Sequence, residues 1–133
     1  MQIFFQKSEE GLNSKGLSLI KHDIKKLNLK NTKKKTIIGW NKVVFNKNSL
    51  IKLKSGTYYF CHSFYPDIKN SRIIKGYSRI NNFSYPVFVN LNNFFGVQFH
   101  PEKSGLKGIQ LYKNFINFCK KNSIKLKAKK KIK

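Results

Sequence analysis

Acidic residues are scarce in this chain. Five Asp and Glu stand against 28 Lys and Arg among 133 residues, a formal net charge of +23. Arginine is scarcer still: only Arg72 and Arg79 among the basic residues. Bidentate recognition of phosphates and base edges favours Arg over Lys. The chain is also rich in Asn, Ile, Phe and Tyr, which share A/T-rich codons with Lys. The charge is therefore read as compositional drift, and no specific nucleic-acid partner is expected. Self-repulsion still destabilises the compact state and promotes weak binding to polyanions. The two cysteines, Cys61 and Cys119, form neither a disulfide framework nor a metal-ligand spacing, which fits a reducing cytoplasm. No apolar run approaches the ~20 residues of a membrane span, and the N-terminus has no charged segment, long apolar stretch or cleavage site of a secretory signal. Internal repeats are absent as well.

What is present is a globular composition, 40% hydrophobic and 14% aromatic. The length suits one domain able to bury roughly two-thirds of its unfolded surface. One stretch organises the rest: Phe94-Phe95-Gly96-Val97-Gln98-Phe99-His100-Pro101-Glu102-Lys103-Ser104. Phe94 to Phe99 is an apolar, aromatic and β-branched run, the type that suits a strand covered on both faces. Pro101 takes its own N–H out of any ladder and holds the preceding residue extended, so the strand stops there. Two residues span ~6.6 Å at strand rise. Glu102 can therefore reach His100, hold one tautomer and stabilise the imidazolium, the base-and-orienter half of a triad. Ser104 can cap a following helix.

Taken in order, Met1 to Gly11 reads as a helix closed by Gly11 or Asn13. Lys21 to Lys35 reads as an exposed, lysine-rich connection with Ile24 and Leu27 packing loosely and His22 on the surface. Ile37 to Phe45 begins the next ordered part, in which Gly39-Trp40-Asn41 fits a core Trp beside a turn Gly. Gly56 to Tyr65 is a strongly aromatic strand; neighbours on it point to opposite faces, so Cys61 and His62 do not act together. His62 reads as structural or binding, not as the base. Arg72 to Ile80 partly alternates, Asn81-Asn82 signals a turn, Pro86 to Val89 is a further strand, and Asn90 to Asn93 turns into the organising strand. This meander spacing suggests antiparallel pieces at one side of a mixed sheet. Gly105 to Cys119 is the clearest helix, with Leu106, Ile109, Tyr112, Phe115, Ile116 and Cys119 recurring on one face as core. Residues 120–133 form a basic, frayed tail.

The string Gly96 to Ser104 resembles the end of a class I (triad) glutamine amidotransferase domain, and most nearly that of the glutaminase subunit of imidazole glycerol phosphate synthase. Tyr58-Tyr59-Phe60-Cys61-His62-Ser63-Phe64-Tyr65 resembles a second string of that family, with Cys61 in place of an aliphatic residue and Phe64 in place of a Tyr. Met1-Gln2 resembles the last part of its nucleophile elbow, and Ser8 to Gly11 and Lys15 to Ile20 continue the likeness. The resemblance implies a flavodoxin-like α/β domain with a mixed sheet, spanning residues 1–119, in which the first strands and helices and the nucleophile Cys are missing. It implies catalytic roles for His100 and Glu102, glutamine contacts at Gln2, His62, Ser63 and Phe64, and a heterodimer interface at Trp40, Asn41, Tyr59 and Lys103. The implied substrate is glutamine, and the implied partner is the synthase (cyclase) subunit, in the cytoplasm. No cofactor, metal or membrane is implied. Three alternatives stay open: an amidotransferase subunit for surface-sugar synthesis, a catalytically dead fragment or misplaced start, and a basic nucleic-acid-binding module. With the central strand absent, residues 1–133 alone are expected to expose apolar surface, to aggregate and to hydrolyse no glutamine.

Overall fold

Phe60, Tyr58 and Phe99 sit at the centre of the larger of two β-sheets. The computed structural model describes residues 1–11, 14–28, 35–69 and 71–131, with residues 124–131 as backbone only. Asn13, expected as a helix stop, and the lysine-rich run 29–34 lie outside the described residues. Nine strands are described: β1 Phe5–Ser8, β2 Ser14–Lys15, β3 Ile20–Lys26, β4 Ile37–Phe45, β5 Gly56–His62, β6 Phe64–Pro66, β7 Ile74–Ile80, β8 Phe83–Leu91 and β9 Phe94–Val97. One long helix, α1, runs Gly105–Lys131, and 3-10 turns occupy Gln2–Phe4 and Pro101–Lys103. The expected α/β class and mixed pairing are both present. The parallel pair is β1 with β3, in a four-stranded sheet of order β2-β1-β3-β6. The antiparallel pieces expected at one side of that sheet form a sheet of their own, of order β5-β4-β7-β8-β9.

Two asparagine turns build this second sheet. Asn81 and Asn92 adopt positive φ, 52° and 50°, a conformation that a short amide side chain tolerates. Each opens a two-residue connection, since Ile80 pairs with Phe83 and Leu91 with Phe94. Beyond β9, the Gln98 amide donates to the Val87 carbonyl and the His100 amide donates to the Tyr59 carbonyl. The chain thus passes from the β8 side of the sheet back to β5, and the sheet curls around its core. That core comprises Leu27, Ile37, Val43, Tyr58, Phe60, Tyr85, Val87 and Phe99. Aromatic edges fill it: Phe99 lies 4.5 Å from Tyr58, 5.9 Å from Phe60 and 6.2 Å from Phe45, centroid to centroid. A second cluster of Phe5, Ile20, Ile24, Ile68, Ile74 and Val89 joins the two sheets.

Four expectations are corrected by these contacts. Met1 to Gly11 is a 3-10 turn followed by a strand, not a helix. Ile3, Phe4 and Phe5 lose side-chain freedom in a helix, and burying Phe5 between paired strands wins. Lys21 to Lys35 does not begin as a loose connection: β3 pairs on both sides, and Ile24 and Leu27 are almost fully buried. Only Ile20 and Ile24 mark its inward face, too few for alternation to show among the lysines. The organising strand is not covered on both faces, since Phe94 is 46% exposed. Finally, α1 continues past Cys119 to Lys131. No Gly or Pro intervenes there, and Lys and Ala favour helix.

The face that α1 turns to the sheet also differs from expectation. Ser104 and Gly108 are buried, Leu111 and Phe118 half-buried, and Phe95 packs against Phe115 and Phe118 at 5.8 and 4.9 Å. The stripe expected as core is largely in solvent: Leu106 is 85% exposed, Ile109 and Ile116 50%, Tyr112 44%. Gly108 explains the choice. A Cβ there would collide with the Pro101 carbonyl, so only the glycine face permits the helix to lie against the Pro101 turn.

Candidate active site

β5 alternates cleanly. Tyr58, Phe60 and His62 point into the core, while Tyr59 is half-buried and Thr57 and Cys61 are exposed on the other face. This follows from the two-residue period of a strand with one covered face. Two structures meet at this strand: a corner at His62–Phe64, which follows its end, and a turn at His100–Ser104, which bonds to Tyr59.

At the turn, Pro101 occupies the first position of a 3-10 helix and His100 stays extended, with φ −95° and ψ 100°. Beyond His100 the chain does not keep the strand rise on which the expected reach of Glu102 rests. The tighter 3-10 turn instead folds the carboxylate back, and His100 Nδ1 lies 2.7 Å from Glu102 Oε1. Both side chains are partly open, 38% and 53% exposed. Glu102 is held below the usual carboxylate range, chiefly by its own backbone N–H and then by the His100 bond. With Nδ1–H donating to a carboxylate, the basic lone pair of the imidazole is on Nε2.

The turn is pinned to β5 by Ser104. Its hydroxyl donates to the His100 carbonyl at 2.6 Å and accepts from the Tyr59 amide at 3.0 Å. Its side chain therefore ties the turn to the sheet rather than capping α1. Sequence reasoning missed this role, and it missed Gly108. A glycine inside a helical pattern signals close backbone approach, and Gly108 stands four residues after Ser104. Around the same point, Tyr59 gathers three neighbours: the ring of His100 at 6.4 Å, the ring of Trp40 at 6.0 Å and the Lys103 ammonium at 5.5 Å. Trp40 is 57% exposed, not a core residue. Asn41 Nδ2 donates to the Gly39 carbonyl at 3.4 Å. Trp40, Tyr59 and Lys103, expected together from sequence, form one exposed aromatic and basic surface beside His100.

At the corner, the Phe64 carbonyl accepts from His62 Nδ1 at 2.8 Å and from Gln2 Nε2 at 3.3 Å. The Ser63 carbonyl accepts from the Leu27 amide, and its hydroxyl lies 2.7 Å from that of Thr36. Gln2, His62, Ser63 and Phe64 thus meet where the five-stranded sheet passes into the four-stranded one. His62 is buried between Phe60 and Tyr85, with ring centroids at 5.7 and 5.5 Å. Burial pushes its pKa down to about 4, against the raising effect of the Phe64 bond, and the charge of His100 lowers it further. His62 is therefore neutral near pH 7 and a weak base. Its Nε2 has no hydrogen-bond partner among the described residues, nor do Tyr85 OH and Gln98 Oε1. His22 is exposed on β3, away from either structure.

This arrangement can take a proton at His100 Nε2, stabilise the resulting imidazolium through Glu102, and present backbone acceptors at the Phe64 corner. No protein-family model matches the chain. Curated proteins do. It is 38% identical over 117 residues to the imidazole glycerol phosphate synthase subunit HisH of Picrophilus torridus, covering 86% of this chain and 58% of that protein. It is 42% identical over 120 residues to the HisH subunit of Bacillus mycoides, covering 86% of this chain and 54% of that one. With the HisH subunit of Pyrococcus furiosus it shares 39% identity over 118 residues, covering 86% and 59%. The chain therefore spans little more than half the length of these relatives.

Proposed function

We propose that the chain is part of a class I glutamine amidotransferase of the HisH type and carries the base-and-orienter half of a glutaminase that supplies ammonia for imidazole glycerol phosphate synthesis in the histidine pathway. The observation that carries this reading is the 2.7 Å contact of His100 Nδ1 with Glu102 Oε1 on a turn pinned to β5. In the reaction, a cysteine thiolate attacks the side-chain amide carbon of glutamine. His100 Nε2 delivers a proton to the departing ammonia, then accepts one from the water that cleaves the thioester. Glu102 holds the tautomer that leaves Nε2 free and stabilises the charged ring. Gln2, Ser63 and Phe64 contribute to the glutamine site, with His62 as the neutral support beneath the Phe64 carbonyl.

Neither cysteine of this chain supplies the thiolate. Cys119 stands about 20 Å along α1 from its start, and Cys61 is an exposed strand residue facing away from the core. The nucleophile comes from the part of the domain that this chain does not span. Trp40, Tyr59 and Lys103 face the synthase subunit of a cytoplasmic heterodimer, while Asn41, expected with them, lies on the inward face of β4 opposite Tyr58. Residues 1–119 form the domain portion, and 120–133 the basic extension.

The test is a chimera in which the part of the Picrophilus torridus relative preceding the matched region is fused ahead of Met1. Glutamine hydrolysis is expected in the presence of the synthase subunit. His100→Ala lowers it at least about 100-fold, the lower end for removing an acid–base group. A folded chimera whose hydrolysis is indifferent to His100→Ala sinks the assignment.

A further inference from the structure

Three cations converge on the outward face of the five-stranded sheet. Lys42 and Val44 of β4, Tyr77 and Arg79 of β7 and Pro86 of β8 line a groove of about 810 Å³, with Lys69, from the segment after β6, on its rim. Small-molecule sites run from roughly 300 to 1,000 Å³. Val44, Tyr77 and Pro86 stand in register across the three strands and make an apolar floor. Val43 pairs with Ser78, so antiparallel pairing sets Lys42 beside Arg79. Like charges facing each other across two strands destabilise the pair unless an anion joins them. Among the described residues no carboxylate pairs with Lys42, Lys69 or Arg79, and Asp67, the nearest in sequence, is held by Lys25 at 2.6 Å. Arg79 is also fixed in place. Its Nε donates to the Asn81 carbonyl at 2.9 Å and its Nη2 to Asn82 Oδ1 at 3.3 Å. Both acceptors are neutral, and the fork keeps further N–H donors for a ligand.

We propose that this groove binds an organic phosphate carrying a flat ring, the chemistry of a nucleoside monophosphate. The guanidinium of Arg79 takes the phosphate oxygens through its fork, and Lys42 and Lys69 add point charges. A phosphate dianion balances three cations better than a single carboxylate does. The ring lies on Val44, Tyr77 and Pro86, an apolar surface with one aromatic face for stacking. A net charge of +23 attracts any polyanion weakly. This groove differs from the rest of that field in joining a held arginine, one of only two in the chain, to an apolar floor. Trp40 stands two residues before Lys42 and does not line the groove, so the site is separate from the surface assigned to the synthase subunit. It is also independent of the amidotransferase reading.

The experiment is calorimetric titration of the full chain, and of the chimera described above, with AMP, UMP, adenosine and inorganic phosphate. Salt is held at about 0.15 M, where diffuse surface attraction is screened. The expected result is saturable binding of AMP or UMP at one site, at least about tenfold tighter than inorganic phosphate, with no binding of adenosine. Arg79→Gln should weaken it at least about tenfold, the loss of a charge-assisted hydrogen bond. Ser84→Glu is the sharper variant. Ser84 is exposed and pairs with Arg79 in register, so the new carboxylate occupies the guanidinium and should abolish binding with circular dichroism unchanged. The double variant Lys21→Gln, Lys113→Gln removes charge at exposed positions elsewhere and should bind as the wild type does. Failure of both nucleotides to bind overturns the proposal. So does phosphate that binds as tightly as the nucleotides, or equal weakening by the distant lysine pair, since either reduces the groove to diffuse charge. Binding that the chain shows and the chimera loses overturns it as well, because the rest of the domain then covers this face. Glutamine hydrolysis by the chimera bears only on the function proposed above, so the two readings fail separately.

Discussion

His62 ends β5 and His100 bonds to the same strand through Tyr59, and their surroundings set the two apart. His62 closes β5, enclosed by Phe60 and Tyr85, and bonds a backbone carbonyl two residues on. His100 follows an edge strand, keeps 38% of its side chain in solvent and bonds a carboxylate two residues on. A buried imidazole with a neutral acceptor loses its proton easily. An open one with a carboxylate partner can carry charge. The residue type is the same in both places, and burial with partner chemistry decides which one can move protons.

The largest way to break the contrast is Phe60→Ala. Phe60 is fully buried against His62, Tyr85 and Phe99. Its truncation should cost about 3–5 kcal/mol, read from the midpoint of urea unfolding, and should let water reach His62.

Acid tests His62 directly. Its folded-state value of about 4 lies below the ordinary 6.5, so between those pH values the unfolded chain binds more protons than the folded one. The stability contributed by neutral His62 is present above 6.5 and is lost as pH falls through 4, by roughly 3 kcal/mol. Urea titrations across this window should show that slope in the wild type and a flatter one in His62→Asn. Equal slopes would mean His62 is not buried as described.

Gly108→Ala strikes the other region. The added methyl meets the Pro101 carbonyl, so the turn must move, at a cost of about 1–3 kcal/mol for overpacking. The hydrogen-bonded His100 Nδ1 proton expected in the wild-type NMR spectrum should disappear, while that of His62 persists. Trp40→Ala should cost less than about 1 kcal/mol, since its edge contact with Tyr59 is half in water; weakened binding of the synthase subunit is the larger expected effect. Smallest of all, Glu102→Gln should leave the unfolding midpoint where it was and remove only the His100 Nδ1 signal. A clear loss of stability there would place the pair in the core rather than at a working surface.

Much of the site was legible in order along the chain. The β5 alternation, the Pro101 stop and the His100–Glu102 spacing are all set by residues within a few positions of one another. Glu102 nevertheless reaches His100 through a 3-10 turn rather than along a strand, because proline at the first position favours the turn. By sequence Ser104 suits a helix cap, and only its position under the Tyr59 amide shows it to be a tie between turn and sheet. The N-terminal segment misled for a related reason. Ile3-Phe4-Phe5 has no periodicity of its own, and Phe5 becomes a strand residue by pairing with β3, fifteen positions away.

The sequence by itself determined the elements whose causes are local: where strands turn at Asn81 and Asn92, where the organising strand stops, and that His100 and Glu102 come into contact. Tertiary structure alone decided which face of α1 is buried, that β3 is a paired inner strand, and that His62 is the enclosed histidine. A helix with two apolar stripes satisfies the same periodicity whichever stripe packs, and a steric fact about Gly108 and Pro101, residues in separate elements, settles it. Burial is a property of neighbours brought from elsewhere in the chain, and no local pattern records who those neighbours are.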